Sequence, residues 1–269
     1  MPNSQETQNK NSNQYRFVEV KKQYYKVVEH WFWDEFEKTF WEQETYNIFQ
    51  NFIDSQTIYI DIGAWIGSTI IYASQQSPKE IYAVEANPLS FELLRTNCGL
   101  NRSMEKTKLS HLCITDKDDQ LANFGGLGNA ENTSSASSIN GDCWQVPTKT
   151  LLSYLSDNNL SDCDNLFIKI DIEGAEELIL KDLETLKNKK YITICLSLHP
   201  PFMKNKGEFC KKFLNFCYCF NTVLDSKLEP LSKENLEQMI TTDEKNTPWG
   251  TPFGNFFEIV LTNNTKNME

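Results

Sequence analysis

The chain has 269 residues, 39% of them apolar and 23% charged, and a formal net charge of −11. That length and apolar share build one large core, which fits a single α/β domain with an extension better than two domains. The acidity counts against nucleic acid, whose phosphates require a basic face, and gives no support for binding an anionic membrane surface.

Met1 to Gln14 is polar, rich in Asn, Gln and Ser, and without an apolar period, which predicts a disordered tail over residues 1–14. From Tyr15 to Ile53 the character changes, with Tyr24, Tyr25, Trp31, Phe32, Phe36, Phe40, Trp41, Phe49 and Phe52 at mixed helical spacings. This predicts an aromatic-rich helical extension over residues 15–53, either a packing surface or a cover for a ligand crevice. His30 reads as a surface or packing residue, and residues 54–269 read as the main domain.

Thr57 to Gly67, TIYIDIGAWIG, is an apolar strand carrying Asp61 near its end, followed by the glycine turn Gly63-Ala64-Trp65-Ile66-Gly67 and a helix from Ser68. Glycine lets the backbone approach a ligand while the first amides of the next helix point into the same space. A dinucleotide fingerprint needs three glycines where this chain has Gly63, Trp65 and Ser68, and no Gly-Lys-Ser/Thr follows. An acid beside the turn favours a ligand that is not anionic there, and S-adenosylmethionine, with its ammonium and sulfonium charges, fits better than a nicotinamide dinucleotide; a plain strand-to-helix turn is the alternative. A second strand, Glu80 to Val84, ends in Glu85-Ala86-Asn87-Pro88, which places Glu85 where such folds hold a ribose-binding acid. Pro88 then opens a helix.

Lys108 to Ile114 reads as a third strand containing a structural His111, and Thr115-Asp116-Lys117-Asp118 as the turn after it. Residues 125–142 read as a long loop, either a lid or low complexity without function. A helix from Thr148 to Leu155 leads to the strand Leu166 to Asp171 in LFIKIDIEGA, with Asp171 and Glu173 at its carboxyl end, then a helix from Gly174 to Lys190. The strand Tyr191 to Leu198 runs into His199-Pro200-Pro201, where two prolines forbid continued pairing. The remainder supplies helices over Gly207 to Phe220 and Ser232 to Ile240 and strands over Asn221 to Leu224 and Asn255 to Thr262, while residues 243–254, with Trp249, form a loop able to reach an acceptor. Eight cysteines show no Cys-x-x-Cys pair and no histidine at zinc spacing, and no signal peptide or long apolar run opens the chain. They read as reduced thiols of a cytoplasmic protein; Cys217-Tyr218-Cys219 fits core packing or, alternatively, a soft metal.

YIDIGAWIG, VEANP, IKIDIEGAE and LSLHPP, in this order, resemble the FkbM family of S-adenosylmethionine-dependent methyltransferases over roughly Trp41 to Asn263. The resemblance implies a Rossmann-like class I methyltransferase fold, a seven-stranded mostly parallel sheet with helices on both faces and its last strand antiparallel. It implies a methyl-donor site from Asp61, Gly63, Ala64, Gly67, Glu85, Ala86 and Asn87, with Asp116 at the adenine ring or, alternatively, in an Asx turn. Trp41 and Glu42 become candidate crevice residues beside Trp249. The implied acceptors are hydroxyls of sugars, polyketides or glycolipids, so the expected partner is a small molecule or glycan, with no nucleic acid and no membrane span; a homo-oligomer stays open.

Asp171 is expected to face the transferring methyl group or a divalent ion such as Mg²⁺, and Glu173 to cap amides or reach the acceptor. His199 is expected to be the general base, because an unperturbed imidazole accepts a proton near neutral pH and acceptors enter at the carboxyl edge of open α/β sheets. Asp171 or Glu173 would then fix its tautomer; a turn histidine or a metal ligand is the alternative role. A nicotinamide-dependent oxidoreductase and a non-catalytic binding protein of the same shape remain the other function classes.

Overall fold

The computed structural model describes residues 14–39, 43–125, 143–203, 206–242 and 255–264. The expected tail up to Asn13, the long loop expected over 125–142 apart from Gly125, which ends a strand, the loop over 243–254 and the candidate acceptor residues Trp41, Glu42 and Trp249 lie outside the described residues.

The extension begins as a hairpin, where helix was expected. β1 (Tyr15–Val20) pairs antiparallel with β2 (Gln23–Val28), joined by Lys21 and Lys22 at φ 50° and 67°. Left-handed backbone at both turn residues matches the right-handed twist of the strands. Burial alternates along β1, with Val18 and Val20 inside and Phe17 and Glu19 outside. Helix starts only with α1 (Phe32–Thr39) and α2 (Gln43–Phe52), which bury Phe32, Trp33, Phe36, Ile48 and Phe49.

The main domain then alternates β3 (Ile58–Ile62), α3 (Ser68–Gln75), β4 (Glu80–Glu85), α4 (Pro88–Gly99) and β5 (Lys108–His111). The strand expected to run on to Ile114 breaks at Leu112. Beyond it β6 (Cys113–Ile114), β7 (Leu121–Gly125) and β8 (Cys143–Lys149) form a separate three-stranded sheet in the order β6-β8-β7. There follow α5 (Leu151–Asp157), capped by the Thr150 hydroxyl, β9 (Leu166–Ile170), α6 (Glu176–Leu186), β10 (Thr193–Leu198), a short 3-10 turn (Pro200–Phe202), α7 (Lys206–Cys217), β11 (Thr222–Asp225), α8 (Lys233–Thr241) and β12 (Phe257–Thr262).

The large sheet has seven strands in the order β11-β12-β10-β9-β3-β4-β5, parallel except where β12 lies antiparallel between β10 and β11. The chain therefore has the Rossmann-like arrangement of class I methyltransferases. β3, β9 and β10 are buried along their whole length and so read as continuous apolar runs, as strands covered on both faces do. Ile58, Ile60 and Ile62 point toward the face covered by α5 to α8, and Tyr59 toward the face covered by α3, α4 and the extension. Asn101 accepts from the Lys26 amide at 2.9 Å and donates to the Lys26 carbonyl at 2.8 Å, filling the hydrogen bonds of the hairpin's edge. Asn97 likewise joins the Val28 amide to the Ile66 carbonyl, tying the extension to the glycine turn.

Candidate active site

The glycine turn leaves β3 in the middle of the sheet. Gly63 and Gly67 adopt φ 86° and 94°, and Trp65, the least comfortable residue of the turn, φ 48°. A Cβ on Gly63 would lie 1.9 Å from the Asp171 carbonyl oxygen, so the turn after β3 rests directly on the turn after β9. The Gly63 and Ala64 amides donate to the Val84 carbonyl, and the Trp65 ring is gripped by Phe32 and His30 of the extension at 4.7 and 5.5 Å between centroids.

Asp61 is fully buried. One carboxylate oxygen accepts from the Tyr59 and Thr69 hydroxyls, and the other, Oδ1, has no partner among the described residues. Burial raises its pKa, and Lys169 with the two hydroxyls opposes that shift. Glu85 accepts from the Asn87 amide at 2.6 Å and the Trp65 amide at 2.8 Å, and burial lifts its pKa to about 7 against those hydrogen bonds. The Ala86 amide also favours the charged form, and the carboxylate still has lone-pair capacity to accept from a ligand hydroxyl. The Asn87 side chain caps α4 by accepting from the Leu89 and Ser90 amides, and Ala86 packs against the small cluster of Cys113 and Val146. Asp116 is exposed, while the neighbouring Asp118 takes up the Thr150 amide and the Ser153 hydroxyl. His111 stacks on Phe91 at 5.0 Å, and Cys217 is in the core whereas Cys219 is exposed, so those two thiols do not face one site.

At the adjoining strand ends, His199 is buried and its Nδ1 lies 3.1 Å from Glu176 Oε1. Its Nε2 stands 3.6 Å from both Asp171 Oδ1 and Glu173 Oε2, beyond hydrogen-bond range. Glu176, and not Asp171 or Glu173 as expected, therefore orients the ring. Burial alone would lower the imidazole pKa, but the Glu176 bond and the charges of Asp171 and Glu173 raise it to about 9. The ring is thus an imidazolium at neutral pH, which departs from the ordinary value assumed for a general base. Burial disfavours the Asp171 charge, yet Lys169 and His199 hold its pKa below the usual carboxylate range, with Lys169 Nζ 3.0 Å from Oδ2. Glu173 sits at φ 54° and Gly174 at 93°, a bent turn that brings both Glu173 and Glu176 back to the histidine.

Sequence reasoning missed Lys169, Glu176, Thr45, Ser197 and Glu258. Glu258 on β12 accepts from the Thr45 hydroxyl at 2.7 Å and the Ser197 hydroxyl at 3.2 Å, and burial raises its pKa. The usable signals were a lysine two residues before Asp171 in an apolar strand, hence on the same face, and a lone acid in the apolar run FFEIVL. The Asp61, Asp171, Glu173, Glu176 and Glu258 carboxyls outnumber the Lys169 and His199 cations they surround, an excess that a cationic ligand would offset.

The family model of the methyltransferase FkbM domain matches residues 61–219. No curated protein matches the chain. Among solved structures it is similar to M. jannaschii TYW2 in complex with AdoMet, at 12% identity and a TM-score of 0.44, with 93% of this chain and 85% of that one covered. It is also similar to the O-methyltransferase from Bacillus cereus in complex with SAH, at 11% identity and a TM-score of 0.44, covering 84% and 80%. For precorrin-6y C5,15-methyltransferase from Geobacter metallireducens GS-15 the identity is 14%, the TM-score 0.39 and the coverage 81% and 86%.

Proposed function

The chain belongs to the FkbM methyltransferase family, and on that premise we propose that it transfers the methyl group of S-adenosylmethionine to a hydroxyl oxygen of a small molecule or glycan, a sugar hydroxyl being favoured. The observation that carries this reading is the contact between Gly63 and the Asp171 carbonyl, which sets the glycine turn beside the Asp171, Glu173 and His199 side chains. The donor is assigned to Asp61, Gly63, Ala64, Gly67, Glu85, Ala86, Asn87 and Asp116. Its ammonium or sulfonium charge offsets the excess of carboxylates, and Glu85 receives the ribose hydroxyls. The acceptor approaches from the Glu173 and His199 side; Trp41, Glu42 and Trp249, outside the described residues, stay further acceptor candidates on the sequence alone. Among the described residues no helix is long and apolar enough to cross a membrane.

In the reaction the acceptor oxygen bonds to the methyl carbon as the carbon–sulfur bond breaks, S-adenosylhomocysteine leaves, and the hydroxyl proton passes to the Asp171–His199–Glu173 group. Holding the two reactants in line contributes as much as about 7 to 11 kcal/mol. To take that proton His199 must first lose its own, which the Glu176 bond and the Asp171 and Glu173 charges oppose by raising its pKa to about 9. Mass spectrometry of a panel of hydroxylated acceptors incubated with labelled donor tests the assignment, and transfer to nitrogen or carbon acceptors alone overturns it.

A divalent cation is a second reading of the same side chains. Asp171, Glu173 and His199 offer ligand atoms all within 4.8 Å of one another, and the Glu176 bond to the far ring nitrogen is the outer partner that metal-bound histidines usually have. Such a cation would lower the pKa of the acceptor hydroxyl. Activity unchanged after prolonged EDTA treatment rules it out.

A further inference from the structure

We propose that Phe202, backed by Phe256, is the acceptor platform of this site, and that the acceptor is a saturated ring bearing several hydroxyls, one C–H face lying on Phe202 while its hydroxyls meet the carboxylates. This rests on the methyl-transfer reading above. Phe202 is 47% exposed, yet it is fixed in place. Its amide donates to the His199 carbonyl at 2.9 Å, closing the turn that Pro200 and Pro201 stiffen. Its Cβ lies only 2.6 Å from where a Cβ on Gly174 would stand, so the acidic loop after β9 is shaped to receive it. Its ring runs within 12° of parallel to the His199 imidazole at 6.1 Å between centroids, and Phe256 leans on both rings at 5.4 and 5.1 Å. Scattered exposed apolar side chains are ordinary on protein surfaces, but this ring is exposed, rigid and set against the imidazole of the candidate site.

The polar side of the same corner selects the ligand's chemistry. Asp171 and Glu173 remain 24% and 18% exposed at the side chain, and Glu258 is half-buried next to Phe256 and Phe257. Ionised carboxylates accept hydrogen bonds and donate none, so they match a ligand rich in O–H donors. A phenol supplies one such donor and a hydrocarbon none, whereas a hydroxylated saturated ring supplies several and keeps a C–H face for the phenyl ring.

The test compares labelled methyl transfer to methyl glycosides and cyclitols with transfer to open-chain polyols of equal hydroxyl count and to simple phenols. Cyclic polyols should be preferred. Phe202→Ala should raise their KM by about tenfold or more with kcat less affected and donor affinity by calorimetry unchanged, and Phe202→Tyr should restore the KM. A KM for Phe202→Ala within about twofold of the parent, or a preference for open-chain polyols or phenols, overturns the platform while leaving methyl transfer standing. No transfer to any of these acceptors overturns the underlying reading and the platform with it.

Discussion

Glu176 controls the charge of His199 from a buried position, 3.1 Å from Nδ1 and with its other oxygen without a partner among the described residues. Glu176→Gln keeps an acceptor of similar shape and removes a charge, so the ring pKa should fall from about 9 toward 6.5, read by NMR titration of the imidazole carbons. The folded value lies above the unfolded one, so this ring stabilises the fold fully below about pH 6.5 and ceases to do so as the pH rises through about 9. Melting temperatures across that window should decline in the parent and decline less in His199→Gln. Glu85 gives a second pH test: with its carboxyl at about 7 in the free protein, donor affinity should climb as the pH rises through that value. Glu85→Gln should flatten the climb, and an equally steep one in the variant would remove Glu85 from the ribose.

At the scale of elements, the donor turn has no room for a side chain. Gly63→Ala combines φ 86° with a Cβ 1.9 Å from the Asp171 carbonyl, so it should cost at least about 2 kcal/mol in urea unfolding, beyond any loss of donor binding. Gly99, at the end of α4, has nothing within 4 Å of an added Cβ, and Gly99→Ala should be neutral or stabilise by about 0.4 to 1 kcal/mol. The alternating strands and helices of the main domain were legible because apolar runs ended at glycine, proline or an acid. The hairpin was not, since Lys21-Lys22 carries none of the usual turn residues and adopts positive φ only because the paired strands require it. The β6-β8-β7 sheet was hidden for a related reason: β8 contains Pro147, and its partner β7 lies across a long polar segment.

For the whole molecule, the strand-end acids and His199 could be placed at one edge from sequence order, because parallel crossovers fix where carboxyl ends point. Lys169, Glu258 and Thr45 could not be joined to them, since their meeting depends on which strands become neighbours and on where the extension returns. The hydrogen bond from Thr45 to Glu258 spans 213 residues of chain. Thr45→Val should cost about 1 kcal/mol in thermal or urea unfolding, and Thr45→Ser should recover most of it. If Thr45→Val melts like the parent, the bond is not holding the extension in place.

That same bond orders events during synthesis. β12 comes last among the described strands, yet it is inserted between β10 and β11, so until it is made those two strands carry unpaired edges and Thr45 has no Glu258 to meet. A chain that ends before Phe257 has the sequence of the glycine turn and its neighbouring parallel strands, but lacks both Glu258 and the strand that joins β10 to β11. The interval between the making of β10 and of β12 is therefore when these apolar strands are most open to wrong partners.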